Sequence, residues 1–333
     1  MHAIRLHAFG PAENLTYEET PDPVPAPGQV RIRVAAAGVH LLDTALREGA
    51  QGPFPTPTAL PTVPGREVAG TVDAVGEGTD AAWLGKRVVA HLGMNPGGYA
   101  ELAVTDAARL HALPDHLGEA EAVAMIGTGR TTLGILQFTE LGPESVAIVP
   151  AAAGGIGTLL VQYAKNAGAT VIGLAGGPAK VALVRENGAD LAVDYTRPEW
   201  ADEVRAYLAS LGRQATVVFD SVGGDTGRAA VDLLGKGGQH IVFGWSGAGL
   251  DAGALTYTEE ELSARSITSE SVLGPVMIQK AGGDVRALEL AALEAATTGT
   301  LRPAVHRFAL ADAADAHRAL ENRGTTGKVV LVP

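Results

Sequence analysis

The sequence predicts an α/β protein in which a β-rich first part precedes a doubly wound parallel sheet and a short tail returns to the first part. Three observations carry this expectation. Gln29–Ala35 and Val68–Gly76 alternate polar and apolar residues with the period of a half-buried strand. Beyond about residue 120, short apolar runs take turns with helical stretches, the pattern of a parallel sheet covered on both faces. Between two of these elements lies a glycine-rich turn, Ala151–Gly157.

In chain order, Pro21, Pro23, Pro25 and Pro27 make an extended entry that cannot join a sheet interior. The two alternating runs follow, with Arg87–Ala90 as a third strand. Gly49–Pro64 is punctuated by prolines and reads as a long loop of the kind that shapes binding clefts. The α/β part then offers strands at Ser145–Pro150, Thr170–Ala175, Asp190–Asp194, Thr216–Asp220 and His240–Phe243. Helices are expected at Gly155–Ala167, Ala179–Glu186, Trp200–Leu211 and Gly227–Leu234, and a further strand at Ser266–Ser271. The tail holds amphipathic helices at Asp284–Thr297 and Ala311–Glu321 and a last strand, Lys328–Val332.

Composition narrows the function. At 333 residues the chain suggests about two domains of roughly 150 residues each. It has no cysteine, which removes disulfides, thiolate metal sites and a cysteine nucleophile. The 25 basic and 37 acidic residues give a net charge of −12, which disfavours nucleic acid and anionic membrane as partners. Ser145–Ala164 carries no charge, but Pro150, Gly154, Gly155 and Gly157 suit a strand–turn–helix better than a membrane span. Met1–His7 runs into Gly10, Pro11 and Glu13 and lacks a signal-peptide core. A cytoplasmic location is expected.

The turn is the strongest local signal. Ala151-x-x-Gly154-x-x-Gly157 is a dinucleotide fingerprint with alanine in place of its first glycine. Gly154 lets a pyrophosphate approach the backbone, Gly157 lets helix and strand pack, and the N–H groups near Gly155 and Ile156 face the anion. The alternative is a merely structural βα turn. An NAD site wants a carboxylate about 20 residues on, to bind the ribose 2′-hydroxyl. No acid occurs from Thr170 to Arg185, and Lys180 stands there instead, so NADP(H) is the expected cofactor. Lys180 could otherwise be a solvated lysine at a helix start. Asp220–Gly224, including Val222, and Phe243-Gly244-Trp245-Ser246-Gly247 each follow a strand and fit cofactor contact or plain loop structure.

These residues resemble the zinc-independent quinone oxidoreductases of the medium-chain dehydrogenase/reductase superfamily, the zeta-crystallin-like branch. The resemblance runs through Pro27–Val30, Gly38–Asp43, Pro64–Gly70, Gly97–Glu101, Ala151–Gly157, Asp220–Gly224, Phe243–Gly247 and Thr326–Val330. It implies a GroES-like β-barrel catalytic domain in residues 1–122 and 276–333, with a Rossmann domain in 123–275. It also implies a homodimer and NADPH as donor to a small-molecule acceptor. Lys180 and Tyr195 would then face the adenosine 2′-phosphate, with Gly176 replacing a serine often found beside them. Thr128 would sit near the nicotinamide, and Arg323 would contact the cofactor.

Zinc-using relatives carry a cysteine near His40 and a histidine where Arg66 stands, so no metal is expected. Without a Lewis acid a simple ketone is a poor acceptor, whereas a quinone or activated enone spreads the arriving charge by conjugation. His40 is the candidate to donate a hydrogen bond or proton to the acceptor oxygen or to hold the carboxamide; otherwise it satisfies a loop carbonyl. Asp43 either orients His40 or caps the following helix. Arg66 and Glu67 are expected to form an internal ion pair, and Arg47 and Arg130 to be surface arginines. Two other functions stay open: an enoyl reductase for a longer acyl or polyketide-like substrate, and a crystallin-like or sensing protein that binds NADPH without turnover.

Overall fold

The computed structural model describes residues 1–50, 58–247 and 253–333, so the middle of the predicted Gly49–Pro64 loop lies outside it. The strands are β1 (His2–Leu6), β2 (Leu15–Glu19), β3 (Gln29–Val39), β4 (Glu67–Val75), β5 (Arg87–His91), β6 (Leu102–Asp106) and β7 (His111–Ala112). They continue as β8 (Val146–Val149), β9 (Thr170–Ala175), β10 (Leu191–Asp194), β11 (Ala215–Asp220), β12 (Leu234–Val242) and β13 (Thr268–Ser271), ending with β14 (Val305–Ala309) and β15 (Lys328–Val332). The helices are α1 (Leu41–Arg47), α2 (Glu119–Val123), α3 (Arg130–Leu136), α4 (Gly155–Asn166), α5 (Pro178–Glu186) and α6 (Trp200–Leu211). After them come α7 (Gly224–Val231), α8 (Glu259–Arg265), α9 (Pro275–Lys280), α10 (Val285–Thr297) and α11 (Ala313–Glu321).

One unit comprises Met1–Gly129, Ala292–Gly299 and Pro303–Pro333; the other comprises Arg130–Ala291 with Thr300–Arg302. Residues 276–291, expected with the first domain, thus belong to the second. The reason is packing: a Cβ on Gly134 of α3 would stand 2.2 Å from Sδ of Met277 in α9.

The first unit is a GroES-like sheet in the order β14-β15-β3-β4-β5-β7, with β6 also pairing β3. Its alternating strands send Val30, Ile32, Val68, Val72, Val88, Val329 and Leu331 into one core. The tail strand β15 lies antiparallel to β3, Val329 opposite Val39, so the C-terminal residues complete this sheet.

The second unit is a Rossmann fold, a parallel sheet ordered β10-β9-β8-β11-β12-β13. Along β8, Ala147 and Val149 meet Leu160, Val161 and Val184 in one core, while Val146 and Ile148 meet Trp200, Val204 and Leu208 in another. An uninterrupted apolar run buried on both faces is what a doubly wound sheet demands. The helix expected at Gly227–Leu234 begins earlier, at Gly224, and ends at Val231; Leu234 already belongs to β12, where it pairs with Ala215. Strands β1, β2, β6 and β14 and the helices from 119 to 136 carry no strong periodicity and were not expected.

Candidate active site

The fingerprint falls on the central strand of the Rossmann sheet, where the strand order reverses and such folds bind ligands. Ala151 has φ 50°, the left-handed conformation that usually calls for glycine. A Cβ on Gly157 would stand 2.3 Å from the Ala151 carbonyl, so only glycine lets α4 begin this close to the turn. Gly154 caps α4, and the N–H groups of Gly155, Ile156 and Gly157 have no acceptor within the helix. Ala151, Gly154, Gly155 and Ile156 are half-exposed, a rim open to an anion.

Neighbouring strand ends extend this rim. Gly176 follows β9, and a Cβ there would lie 3.7 Å from the Tyr195 hydroxyl, which places Tyr195 beside it. Lys180 is half-exposed in the first turn of α5. Asp194 enters the same turn from β10, but Gly177 N–H (3.0 Å) and the Thr196 hydroxyl (2.7 Å) both donate to its Oδ1. Those bonds hold the carboxyl below its usual range and tie it to loop structure. Val222 and Phe243 are buried. Their loops are zipped together: the N–H groups of Ser246 and Gly247 donate to the carbonyls of Ser221 (3.0 Å) and Val222 (2.7 Å). Gly244 and Trp245 are half-exposed, and Ser246 is exposed.

Thr128 and Arg323 belong to the first unit. Thr128 is buried in a π-helical turn, Ala124–Gly129; Arg323 is exposed, with φ 53°, just after α11.

The first unit also assembles a charged cluster that sequence reasoning saw only in fragments. His40 Nε2 lies 2.7 Å from Glu67 Oε1 and 2.7 Å from Lys328 Nζ, and Lys328 Nζ lies 2.9 Å from Glu67 Oε2. The Glu67 contacts are close charge contacts; neither oxygen is aligned with a donor as in a full hydrogen bond. Glu67 and Lys328 are buried, while the His40 side chain keeps 31% exposure. Room for the carboxylate comes from glycine: a Cβ on Gly127 would fall 1.5 Å from Glu67 Oε1, and one on Gly38 2.3 Å from Oε2. Burial opposes ionisation of Glu67, but His40 and Lys328 outweigh it and hold the carboxyl well below its ordinary range. Burial pulls the Lys328 ammonium down, against the attraction of Glu67.

A second layer supports His40. Asp43 Oδ2 accepts the His40 backbone N–H at 2.8 Å and the Tyr99 hydroxyl at 3.0 Å. The Asp43 carboxylate therefore caps α1 and fixes the His40 backbone, in a capping box whose other half sets the His40 side chain against the Asp43 backbone N–H. Having given its hydrogen to Asp43, the Tyr99 oxygen accepts from Nε2 of buried His317, 3.2 Å away, which makes His317 a neutral Nε2–H imidazole. Burial pulls the His317 pKa down to about 4.

Three expectations are corrected. Arg66 pairs with Asp43 (3.4 Å) rather than Glu67, because adjacent residues entering a strand point to opposite faces. His40 meets Glu67 and Lys328, not a loop carbonyl. Arg47 is 2% exposed, pairing with Glu48 and Glu321, and Arg130 is 17% exposed beside Glu289; neither is a surface arginine. Glu67 and Lys328 had one faint signal: each is a charge directly preceding an apolar strand run.

The fold and turn define a dinucleotide-binding oxidoreductase. A family model described as an alcohol dehydrogenase GroES-like domain matches residues 26–115, and one described as a zinc-binding dehydrogenase matches 155–279. A quinone oxidoreductase of Pseudomonas aeruginosa is 33% identical over 99% of both chains. A 2-haloacrylate reductase of a Burkholderia species is 31% identical over 99% of this chain and 98% of its own. The structure of Escherichia coli quinone oxidoreductase complexed with NADPH superposes with a TM-score of 0.83, at 27% identity, covering both chains fully. The chain belongs to the quinone oxidoreductases of the medium-chain dehydrogenase/reductase superfamily.

The zinc in one family description does not suit these residues. The chain has no thiolate, and the point between the His40 imidazole and the Glu67 carboxylate is taken by the Lys328 ammonium. Among the described residues no cluster of three or more His, Cys, Asp or Glu side chains could hold a metal. No described helix is long and apolar enough to cross a membrane.

Proposed function

We propose that the chain is an NADPH-dependent, zinc-independent reductase whose acceptor is a quinone or an activated enone. The observation that supports the cofactor is the half-exposed rim of Ala151, Gly154, Gly155 and Ile156 beside buried Gly157 at the switch point; in this reading these residues hold a pyrophosphate, and Lys180, Gly176 and Tyr195 a 2′-phosphate. Val222, Phe243, Gly244, Trp245 and Ser246 border the same strand ends, and the family resemblance adds Thr128 and Arg323 as proposed cofactor contacts. When bound, the dihydronicotinamide supplies a hydride. The acceptor class is supported by relatives named for quinones and by one named for a haloacrylate, an alkene conjugated to a carboxyl group.

The chain's own contribution is to orient, exclude water and hold a proton. His40 donates to the acceptor oxygen as charge gathers there, and Asp43 fixes the backbone from which it does so. A cytoplasmic location and a homodimer belong to the same proposal. For the dimer, β13 ends the Rossmann sheet and offers an edge for pairing.

The test is NADPH oxidation with small quinones and enones. Failure across such a panel, with NADPH bound, would leave a binding protein without turnover. Lys180→Ala is expected to weaken NADPH by about 1–2 kcal/mol and to leave NADH unchanged, as calorimetry can measure. Equal losses for both nucleotides would remove Lys180 from the phosphate.

A further inference from the structure

A histidine on an inner strand of the Rossmann sheet has no part in the chemistry described so far. His240 lies on β12, opposite Val218 of β11 and Ser269 of β13. Asp220 follows Val218 by two positions, so Asp220, His240 and Ser269 share one face of the sheet. The imidazole and the carboxylate are both fully buried. His240 Nε2 lies 3.2 Å from Asp220 Oδ2, and its Nδ1 lies 2.8 Å from Ser269 Oγ. Polar groups are buried at low cost only where hydrogen bonds replace water, and here each finds a partner.

The carboxylate in turn shapes a loop. Asp220 Oδ1 accepts the N–H groups of Val222 and Gly223, both at 2.9 Å. Gly227 of α7 packs over the other oxygen, where a Cβ would stand 2.5 Å from Oδ2. One oxygen therefore folds the chain back after β11, while the other faces His240 and the start of α7. A carboxylate has only lone pairs to give, so the hydrogen of the contact with Oδ2 sits on His240 Nε2. Ser269 serves the opposite nitrogen: its hydroxyl donates to a bare Nδ1 or accepts from a protonated one. The ring keeps one orientation in either charge state. Tyr257 stands nearly perpendicular to it, with the ring centroids 5.9 Å apart.

Resting on the reductase reading, in which the Asp220–Gly224 loop borders the dinucleotide, we propose that His240 and Ser269 are positioning residues for cofactor binding. They act through Asp220. With Oδ2 held by His240, Oδ1 keeps its grip on the Val222 and Gly223 N–H groups, and the loop has one shape before a dinucleotide arrives. A binding loop that is already ordered loses less affinity to ordering. The hold extends to a second loop, because the carbonyls of Ser221 and Val222 accept from Ser246 and Gly247. It does not involve the 2′-phosphate end, since Lys180 belongs to α5, which follows β9 rather than β11.

The test compares the full-length wild type with His240→Leu, His240→Gln and Ser269→Ala. In calorimetry His240→Leu should weaken NADPH and NADH by the same factor, roughly tenfold, because a hydrogen bond to a charged group is lost. His240→Gln offers an amide N–H to the same oxygen and should bind within about twofold of wild type. Ser269→Ala should lie between them, at a loss of roughly threefold. In hydrogen exchange without nucleotide, the Val222 and Gly223 amides should lose protection in His240→Leu while those of Val217–Phe219 keep theirs. A His240→Leu protein that melts lower but binds both nucleotides normally would mark His240 as merely structural and overturn the proposal. A loss confined to NADPH, or a glutamine variant as weak as the leucine one, would overturn it too. If His240→Leu fails to fold, Ser269→Ala and the nitrogen-15 spectrum of wild-type His240, identified by its loss in His240→Gln, decide. Unchanged affinity in Ser269→Ala, or an Nε2 without hydrogen, then overturns the proposal. A wild type that binds neither nucleotide would overturn the reductase reading instead, and the exchange pattern would still show whether His240 holds the loop.

Discussion

The glycine turn of the second unit and the charged cluster of the first are built by opposite means. At Ala151–Gly157 the working parts are backbone, and seven consecutive residues supply them. What matters is how closely chain can approach chain, and Gly157 settles that sterically. At His40, Glu67 and Lys328 the working parts are side chains far apart in sequence, and long-range pairing brings them together. A local device tolerates small strain and is changed by small amounts. A buried charge network fails by large amounts when one member goes, because each charge depends on the others for its solvation.

The sharpest way to break that contrast is Glu67→Ala. It leaves the Lys328 ammonium buried without its carboxylate, and about 3–5 kcal/mol of stability should be lost in urea titration. A loss near that of an ordinary surface substitution would mean that the cluster is open to water.

Next in size is the pH response of the supporting layer. His317 binds a proton near its ordinary value of 6.5 when unfolded, but only at about 4 when folded. Between these values the unfolded chain holds more protons, so stability is complete above 6.5 and declines as pH falls toward 4. The decline due to this group should approach roughly 3 kcal/mol. Comparison with His317→Gln isolates it, and equal acid sensitivity of both proteins would dismiss the assignment.

The smallest effect belongs to the turn. Ala151→Gly relieves a left-handed alanine but frees the unfolded chain, so a net gain of only about 0.5 kcal/mol is expected. A loss of several kcal/mol would show that this turn too depends on its side chain.

Much of the second unit was legible in the sequence. The strand Thr170–Ala175 and the helix Trp200–Leu211 have the limits read from their patterning, because a strand buried on both faces and a helix with one apolar stripe are local statements. The Gly224–Val231 helix was misplaced by three residues at each end, since its start is a glycine pair and it runs straight into the turn before β12. Strands β1 and β14 were missed because their residues do not alternate cleanly.

The cluster was legible only in part. His40 and Asp43 stood out as polar residues after an apolar strand. Glu67 was read as half of an internal ion pair but with the wrong partner, Arg66, and Lys328 did not stand out, because a charge beside an apolar run is usually solvated.

The order of residues thus determined the kind of protein this is: the two units, the α/β alternation and the turn suited to a dinucleotide, all of which arise from neighbours along the chain. The tertiary structure alone decided that Lys328, His40 and Glu67 meet. That meeting requires β15 to pair with β3 and β3 with β4 in one register, which puts residue 328 across from residue 40 and residue 67 across from Gly38. A slip of one residue would turn each charge to the other face of the sheet, and no local pattern encodes which slip is forbidden.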